Sequence, residues 1–460
     1  MNVVSFSRLP SSAMKSISAL QEAESPLFTI ARISLIALLL AAPLAFGAVE
    51  AWAWGTMAVA VSAIVVLWAL GCARSGTITF IWSPLYVPLL ALLALAAVQF
   101  SAGLTADRIG TREALIKLVL PLLIFFLAQH LFAAATPKVW KASAAVVAIY
   151  TFVVSVFSIL QFFVTPGILY GTIRPRWGGW VFGPYVNRNH YAGLMEILIP
   201  IAAGLALGLR SKHPARPFLL FAIFIAVVSL FLSGSRGGTI ALSVESIIFA
   251  IAILRGGTVG HARNRALVTG CVLAALAGCC FLWLDPHDTW KRWETMAQRP
   301  ELAEEYRIRL TNDSLHIARN HLAYGVGLGA FEVAYPRYQG IVTDLAIPYA
   351  HNDYAQFIAE TGILGVILTP VSIAIFCWLA FRRLRSSNLQ LPTHNSQVET
   401  VLWLQIGSAV GACGMLVHSL SDFNLHIPAN AAWFAMSAAL ATLPGPAKEY
   451  DDLNCEGLIS

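Results

Sequence analysis

Apolar runs of about 17 to 25 residues recur from end to end of this chain, broken by short polar or Gly-rich stretches. Runs of that length cross a hydrocarbon core as helices, because a helix satisfies its own backbone polar groups. The pattern predicts spans at 27–46, 54–71, 84–100, 114–132, 139–163, 190–209, 217–233, 238–254, 266–284, 355–380, 401–420 and 430–444. The fold class is therefore all-α, a polytopic integral membrane protein of about twelve helices. Only Ser233-Gly-Ser-Arg-Gly-Gly238 separates the seventh span from the eighth. One long polar loop, 285–350, stands between the ninth and tenth.

Composition agrees with this reading. Of 460 residues, 58% are hydrophobic and 12% charged, about half the charged share of a soluble protein. The net charge of +6 matters less than where it lies. Arg8 and Lys15, Arg74, Lys138 and Lys141, Arg210, Lys212 and Arg216, Arg255, Arg263 and Arg265, Arg382, Arg383 and Arg385, and Lys448 fall in alternate loops or the termini. Such loops stay in the cytoplasm. The opposite short loops at 47–53 and 421–429 carry no Lys or Arg. Loop 285–350 has several, but loops of that length cross largely regardless of charge. Both termini are then cytoplasmic. The basic residues follow loop side rather than a patch, and no nucleic-acid partner is expected. The cysteines, Cys72, Cys271, Cys279, Cys280, Cys377, Cys413 and Cys455, fall outside the outer loops, so no disulfide is implied.

The first 26 residues read as a loose cytoplasmic lead, and 27–182 as scaffold helices. Arg32 and Lys117 sit near span ends, where long side chains snorkel. No internal repeat joins the two halves, which weakens a duplicated transporter. In the long loop, Leu302 to Ala318 mixes apolar and basic positions, as in a helix lying on a membrane surface. Gly325-Val-Gly-Leu-Gly329 follows no strand and opens no long helix, so it reads as a flexible turn rather than a nucleotide fingerprint. Region 183–428 holds the polar motifs, and 429–460 is the last span and a polar tail.

Four motifs carry candidate chemistry, and all fall on the outer side of this topology. Gly183-Pro-Tyr-Val-Asn-Arg-Asn-His-Tyr-Ala-Gly193 enters the sixth span. Asn187 or Asn189 can cap that helix, which leaves Arg188 unexplained. Arg174 and Arg176 precede it in a Trp- and Gly-rich loop that suits sugar stacking or the interface. In the second motif, Arg236 in its Gly-rich turn joins backbone N–H groups at a helix start, an anion site. The third is His351-Asn-Asp, placed where the long loop meets the tenth span. A neutral imidazole is the usual general base near neutral pH, and Asn352 and Asp353 either orient it or cap the helix. Glu360, nine residues on, falls partly inside the membrane in this reading. Glu196 and Glu245 raise the same question. The fourth motif is His418-Ser-Leu-Ser-Asp-Phe-Asn-Leu-His-Ile-Pro428, with Asp422 and His426 outside. No spacing among His351, His418, Asp422 and His426 enforces a metal site, and neither a metal nor any other cofactor is expected.

In this order on such a scaffold, these motifs, together with AHNDYAQFIAETGILG from Ala350 and the segment Gly325 to Tyr338, resemble the O-antigen ligase and O-antigen polymerase superfamily of bacterial membrane proteins. The resemblance runs from about Gly183 to Pro428. It implies a metal-independent membrane glycosyltransferase working at the periplasmic face of the inner membrane. The donor is a glycan on undecaprenyl diphosphate, and the acceptor is a lipid A core sugar or another glycan. It implies His351 as base and Arg236 and Arg188 on the diphosphate, and leaves Arg307, Arg309 and Arg319 as loop contacts without assigned roles. The rivals are a transporter or flippase of lipid-linked sugars, which needs polar residues through both leaflets, and a non-catalytic assembly partner, which tolerates loss of His351.

Overall fold

The computed structural model describes residues 25–175, 179–210, 212–255, 270, 300–340, 346–387 and 396–443. The expected span 266–284 apart from residue 270, Arg176, the lead before residue 25 and the tail after 443 lie outside the described residues. The described chain is helical: α1 Pro26–Leu44, α2 Ala51–Ser75, α3 Tyr86–Ser101, α4 Arg108–Ala133, α5 Pro137–Val164, α6 Arg188–Gly208, α7 Arg216–Ser233, α8 Arg236–Arg255, α9 Pro300–Asn320, α10 Phe331–Ala334, α11 Asp353–Thr361, α12 Ile363–Ser387, α13 Ser396–His418 and α14 Pro428–Thr442. Among the described residues nine helices are long and apolar enough to cross a membrane, with α3 a shorter apolar helix. The protein is a multi-pass membrane protein.

Two helices form its axis. α6 and α13 are buried along most of their length, while α2, α8 and α12 turn most of theirs outward. The reason is written in glycine. α6 carries Gly204-Leu-Ala-Leu-Gly208 and α13 carries Gly407-Ser-Ala-Val-Gly411. A Cβ on Gly204 would come within 2.3 Å of the Trp403 carbonyl oxygen, and one on Gly407 within 2.3 Å of that of Pro200. The two backbones therefore touch with no side chain between them, the small-residue contact of helices in lipid. Buried polar bridges tie other helices in. The Gln129 amide donates to the Ala439 carbonyl at 3.0 Å, and the Trp433 indole N–H to that of Leu39 at 2.8 Å. In a bilayer each such bond contributes roughly 0.6 to 2 kcal/mol.

The structure corrects four expectations. Arg32 does not snorkel: it is buried, and its Nε donates to the Leu131 carbonyl at 3.0 Å. Lys117, by contrast, keeps its ammonium partly exposed, 3.9 Å from Glu113 and over the Trp54 ring. The predicted span 355–380 is two helices. Gly362, with φ +64° and ψ −142°, caps α11 in a conformation only glycine holds without strain and starts α12 afresh. Glu360 therefore lies on the short α11, outside the spanning helix. Its carboxylate accepts from the Gly329 N–H at 2.9 Å and the Gln356 amide at 3.1 Å, and burial pushes its pKa up. Finally, the 325–329 turn is pinned rather than loose. Val326 N–H donates to the Ala359 carbonyl and Gly327 N–H to that of Glu360, while the Gln99 amide donates to Tyr324 and Glu360 carbonyls. The loop helix, expected over 302–318, runs from Pro300 to Asn320.

Candidate active site

One end of the α6–α13 pair gathers three of the four polar motifs directly, and the fourth packs against them. α6 starts at Arg188 because Asn187 caps it, its side chain accepting from the Asn189 N–H at 2.9 Å. Asn189 itself reaches across and donates its amide to Asp422. α13 ends at His418, and the chain then turns through Ser419–Ile427 before α14.

Asp422 is fully buried at the centre of this turn. His351 Nδ1 stands 3.6 Å from Oδ1, His190 Nε2 stands 3.8 Å from the same oxygen, and Arg307 Nη2 lies 3.7 Å from Oδ2. Oδ1 also accepts the Phe423 N–H at 2.8 Å. Arg307 Nη1 donates to the Ser421 carbonyl at 2.8 Å, so the loop helix α9 is clamped to the site. Burial alone would push the Asp422 carboxyl up. The His351, His190, His418 and Arg307 side chains around it outweigh that and hold it well below the usual carboxylate range. Asp422 is thus an anion at neutral pH.

His351 is held under strain. Its φ of +52° lies in the left-handed region, which costs a non-glycine residue roughly 1 to 2 kcal/mol. The flanks impose it. The Ala350 N–H donates to Gln356 at 2.9 Å, and Asn352 caps α11 by accepting from the Tyr354 and Ala355 N–H groups. The Asp353 N–H donates to the carbonyls of Ser419 and Asp422. Phe423 wedges between the rings of His351 and His190, at 4.9 and 4.7 Å, and stacks on Tyr349 at 4.2 Å. His351 Nδ1 is buried facing the carboxylate, while the side chain as a whole remains partly exposed. A negative charge behind Nδ1 favours the tautomer with its proton there, leaving Nε2 with a lone pair.

Arg188 and Arg236 share a second corner. Gly234 ends α7 with φ +64°, and Ser235 Oγ accepts the Gly238 N–H at the start of α8. A Cβ on Gly234 would lie 3.3 Å from Nη1 of Arg188, so this glycine makes room for the guanidinium beside the Arg236 turn. The Arg188 guanidinium also covers the Trp180 ring at 4.5 Å. A Cβ on Gly237 would fall 2.3 Å from the His418 ring and 2.9 Å from Ser421 Oγ, which joins this corner to the Asp422 turn.

The remaining candidates separate. Asn352 and Asn187 are caps. Asp353 faces His426, with Oδ1 2.6 Å from Nδ1, and its Oδ2 accepts from Ser419 at 2.8 Å and the Leu425 N–H at 3.1 Å. His418 Nδ1 meets Glu196 at 2.7 Å inside the bundle. His418 and His426 thus each turn to their own carboxylate. No group of three or more possible metal ligands occurs among the described residues. Arg309 and Arg319 are exposed. The partner of Glu196, the role of His190 and the Phe423 wedge escaped sequence reasoning. The paired small-xxx-small spacings on α6 and α13 were a readable signal that these two helices meet.

Residues 221–369 match a family model described as O-antigen ligase. The matched stretch contains Arg236, Arg307 and His351 and stops short of Arg188 and Asp422. No curated protein matches the chain.

Proposed function

From the O-antigen ligase family of residues 221–369, we propose that the chain is a membrane glycosyltransferase that transfers or polymerises glycans carried on undecaprenyl diphosphate. The site faces the periplasm, and the charge distribution of the short loops supports that orientation. The observation that carries the reading is the His351–Asp422 pair at 3.6 Å, set at the same bundle end as the Arg188–Arg236 corner.

The reaction needs three things. Diphosphate is a good leaving group once its charge is met, and two guanidiniums bind its oxygens as forks. An acceptor hydroxyl attacks the anomeric carbon while the bond from that carbon to the diphosphate oxygen breaks, and the electron pair leaves with undecaprenyl diphosphate. The hydroxyl proton passes to Nε2 of His351. Asp422 stabilises the imidazolium that forms, with Asn189 holding the carboxylate in place. No step calls for a metal or a nucleotide.

The test is turnover by purified protein with lipid-linked donor and acceptor, read by product mass, beside His351→Asn and a separate donor-binding measurement. Asn is chosen because it accepts the left-handed backbone. Binding without turnover is expected. Wild-type turnover by the variant would remove His351 as base. In a deletion strain, long polymer accumulating on the carrier marks a ligase and single repeats mark a polymerase.

A further inference from the structure

A cavity bordered by basic side chains lies at the other end of the same helix pair. It has a volume of about 450 Å³ and sits between the start of α5, the end of α6, the turn into α7 and the start of α13. Lys138 and Lys141 come from the first turns of α5, Arg210 and His213 from the turn, and Leu209 and Thr400 close the wall. No carboxylate lines it among the described residues.

Its geometry is built rather than incidental. The His213 N–H donates to the Arg210 carbonyl at 2.9 Å, which folds the turn back so that both side chains border the same space. The Ala215 N–H donates to His213 Nδ1 at 3.2 Å, so a neutral ring carries its proton on Nε2 and remains a donor there. Thr400 Oγ1 donates to the Gly208 carbonyl at 2.7 Å, removing an acceptor from the cavity wall. α5 opens with Thr136 as cap and Pro137 at its first position, and the positive end of its dipole points to this region. Two lysines, an arginine, one imidazole donor and a helix start thus converge on a space fit for a headgroup. Scattered basic residues keep a loop in the cytoplasm by charge alone and need no shared cavity.

We propose that this cavity binds a phosphate-bearing anion, either the headgroup of an anionic phospholipid or a soluble phosphate or diphosphate. It is separate from the Asp422 site, which lies at the opposite ends of α6 and α13, and it does not depend on the reaction assigned there.

The experiment is thermal unfolding of the full chain in nanodiscs. One arm compares phosphatidylcholine discs with and without phosphatidylglycerol. The other adds inorganic phosphate or pyrophosphate to phosphatidylcholine discs, with chloride matched for ionic strength. A rise of about 3 °C or more is expected in at least one arm, the size that saturating occupancy of a single site gives. A rise in the lipid arm alone assigns a phospholipid headgroup, and a rise in the soluble arm assigns free phosphate or diphosphate. The Lys141→Gln/Arg210→Gln variant should lose the rise, and Arg74→Gln, a basic residue outside the cavity, should keep it. If the double variant is itself less stable in plain discs, Lys141→Arg/Arg210→Lys serves instead and should retain the response. No rise in either arm, a rise that survives the double neutralisation, or an equal loss in Arg74→Gln overturns the proposal.

Discussion

Nδ1 of His351 faces Oδ1 of Asp422 across 3.6 Å, a gap too long for a formed hydrogen bond and too short to be screened by water. Catalytic contacts often tighten only when substrate is bound. Asp422→Asn keeps the shape and removes the charge. Turnover should fall on the order of a hundredfold, the scale of a disabled base, with donor affinity unchanged. A kcat/KM measurement beside donor binding checks this. Equal loss of both would make Asp422 a structural anchor only.

Arg188→Ala and Arg236→Ala should each weaken donor binding strongly while expression holds. The Lys variants should recover part of it, because a point charge lacks the guanidinium's fork. Donor binding by isothermal titration separates them. If Ala at both positions leaves affinity intact, the diphosphate is held elsewhere.

How much of this was legible beforehand divides by the range of the interaction. The apolar runs marked the spans, and the break at SGSRGG did separate α7 from α8, because both signals are local. Capping was equally local: the sequence offered Asn187 or Asn189 for α6 and Asn352 or Asp353 for α11, and the structure uses Asn187 and Asn352. The His418–Glu196 and His426–Asp353 pairs were not, since their partners stand far apart in the chain. Glu360 was misplaced because an apolar run continuing past Gly362 hides a glycine that breaks it. Arg307 could not be told from Arg309 until the helix was docked on Asp422.

The helix pair offers a stability test. Gly407→Ala places a methyl 2.3 Å from the Pro200 carbonyl oxygen and should cost about 1 to 3 kcal/mol, read as a drop of several degrees in thermal unfolding. Gly55→Ala meets nothing within 4 Å and should be neutral or stabilise by up to about 1 kcal/mol. Equal effects at both positions would mean that the close contact carries no strain.

His426 gives a signed pH dependence. Burial pulls its imidazole down, but the hydrogen bond and charge of Asp353, with Glu360 near, outweigh burial and hold it above the ordinary value. A raised folded value stabilises fully below the unfolded pKa of about 6.5 and is lost as pH rises through the folded value. Hydrogen exchange in 419–427, corrected for intrinsic rates, should therefore be better protected in mild acid than in mild base. His426→Gln should flatten that difference, and an unchanged profile in the variant would assign it to another group.

The glycine seam also sets when the candidate site can be completed. α6 is complete at Gly208, yet its counterpart does not begin until Ser396, so the growing chain inserts one wall of the site long before the other exists. A ribosome product cut short anywhere in between holds both arginines and His351 at most, without Asp422 or His418. Co-expressing 1–390 with 391–460 should restore turnover that neither fragment has alone. If the proposed site is right, unfinished copies should carry no activity, because the Asp422 wall is made last.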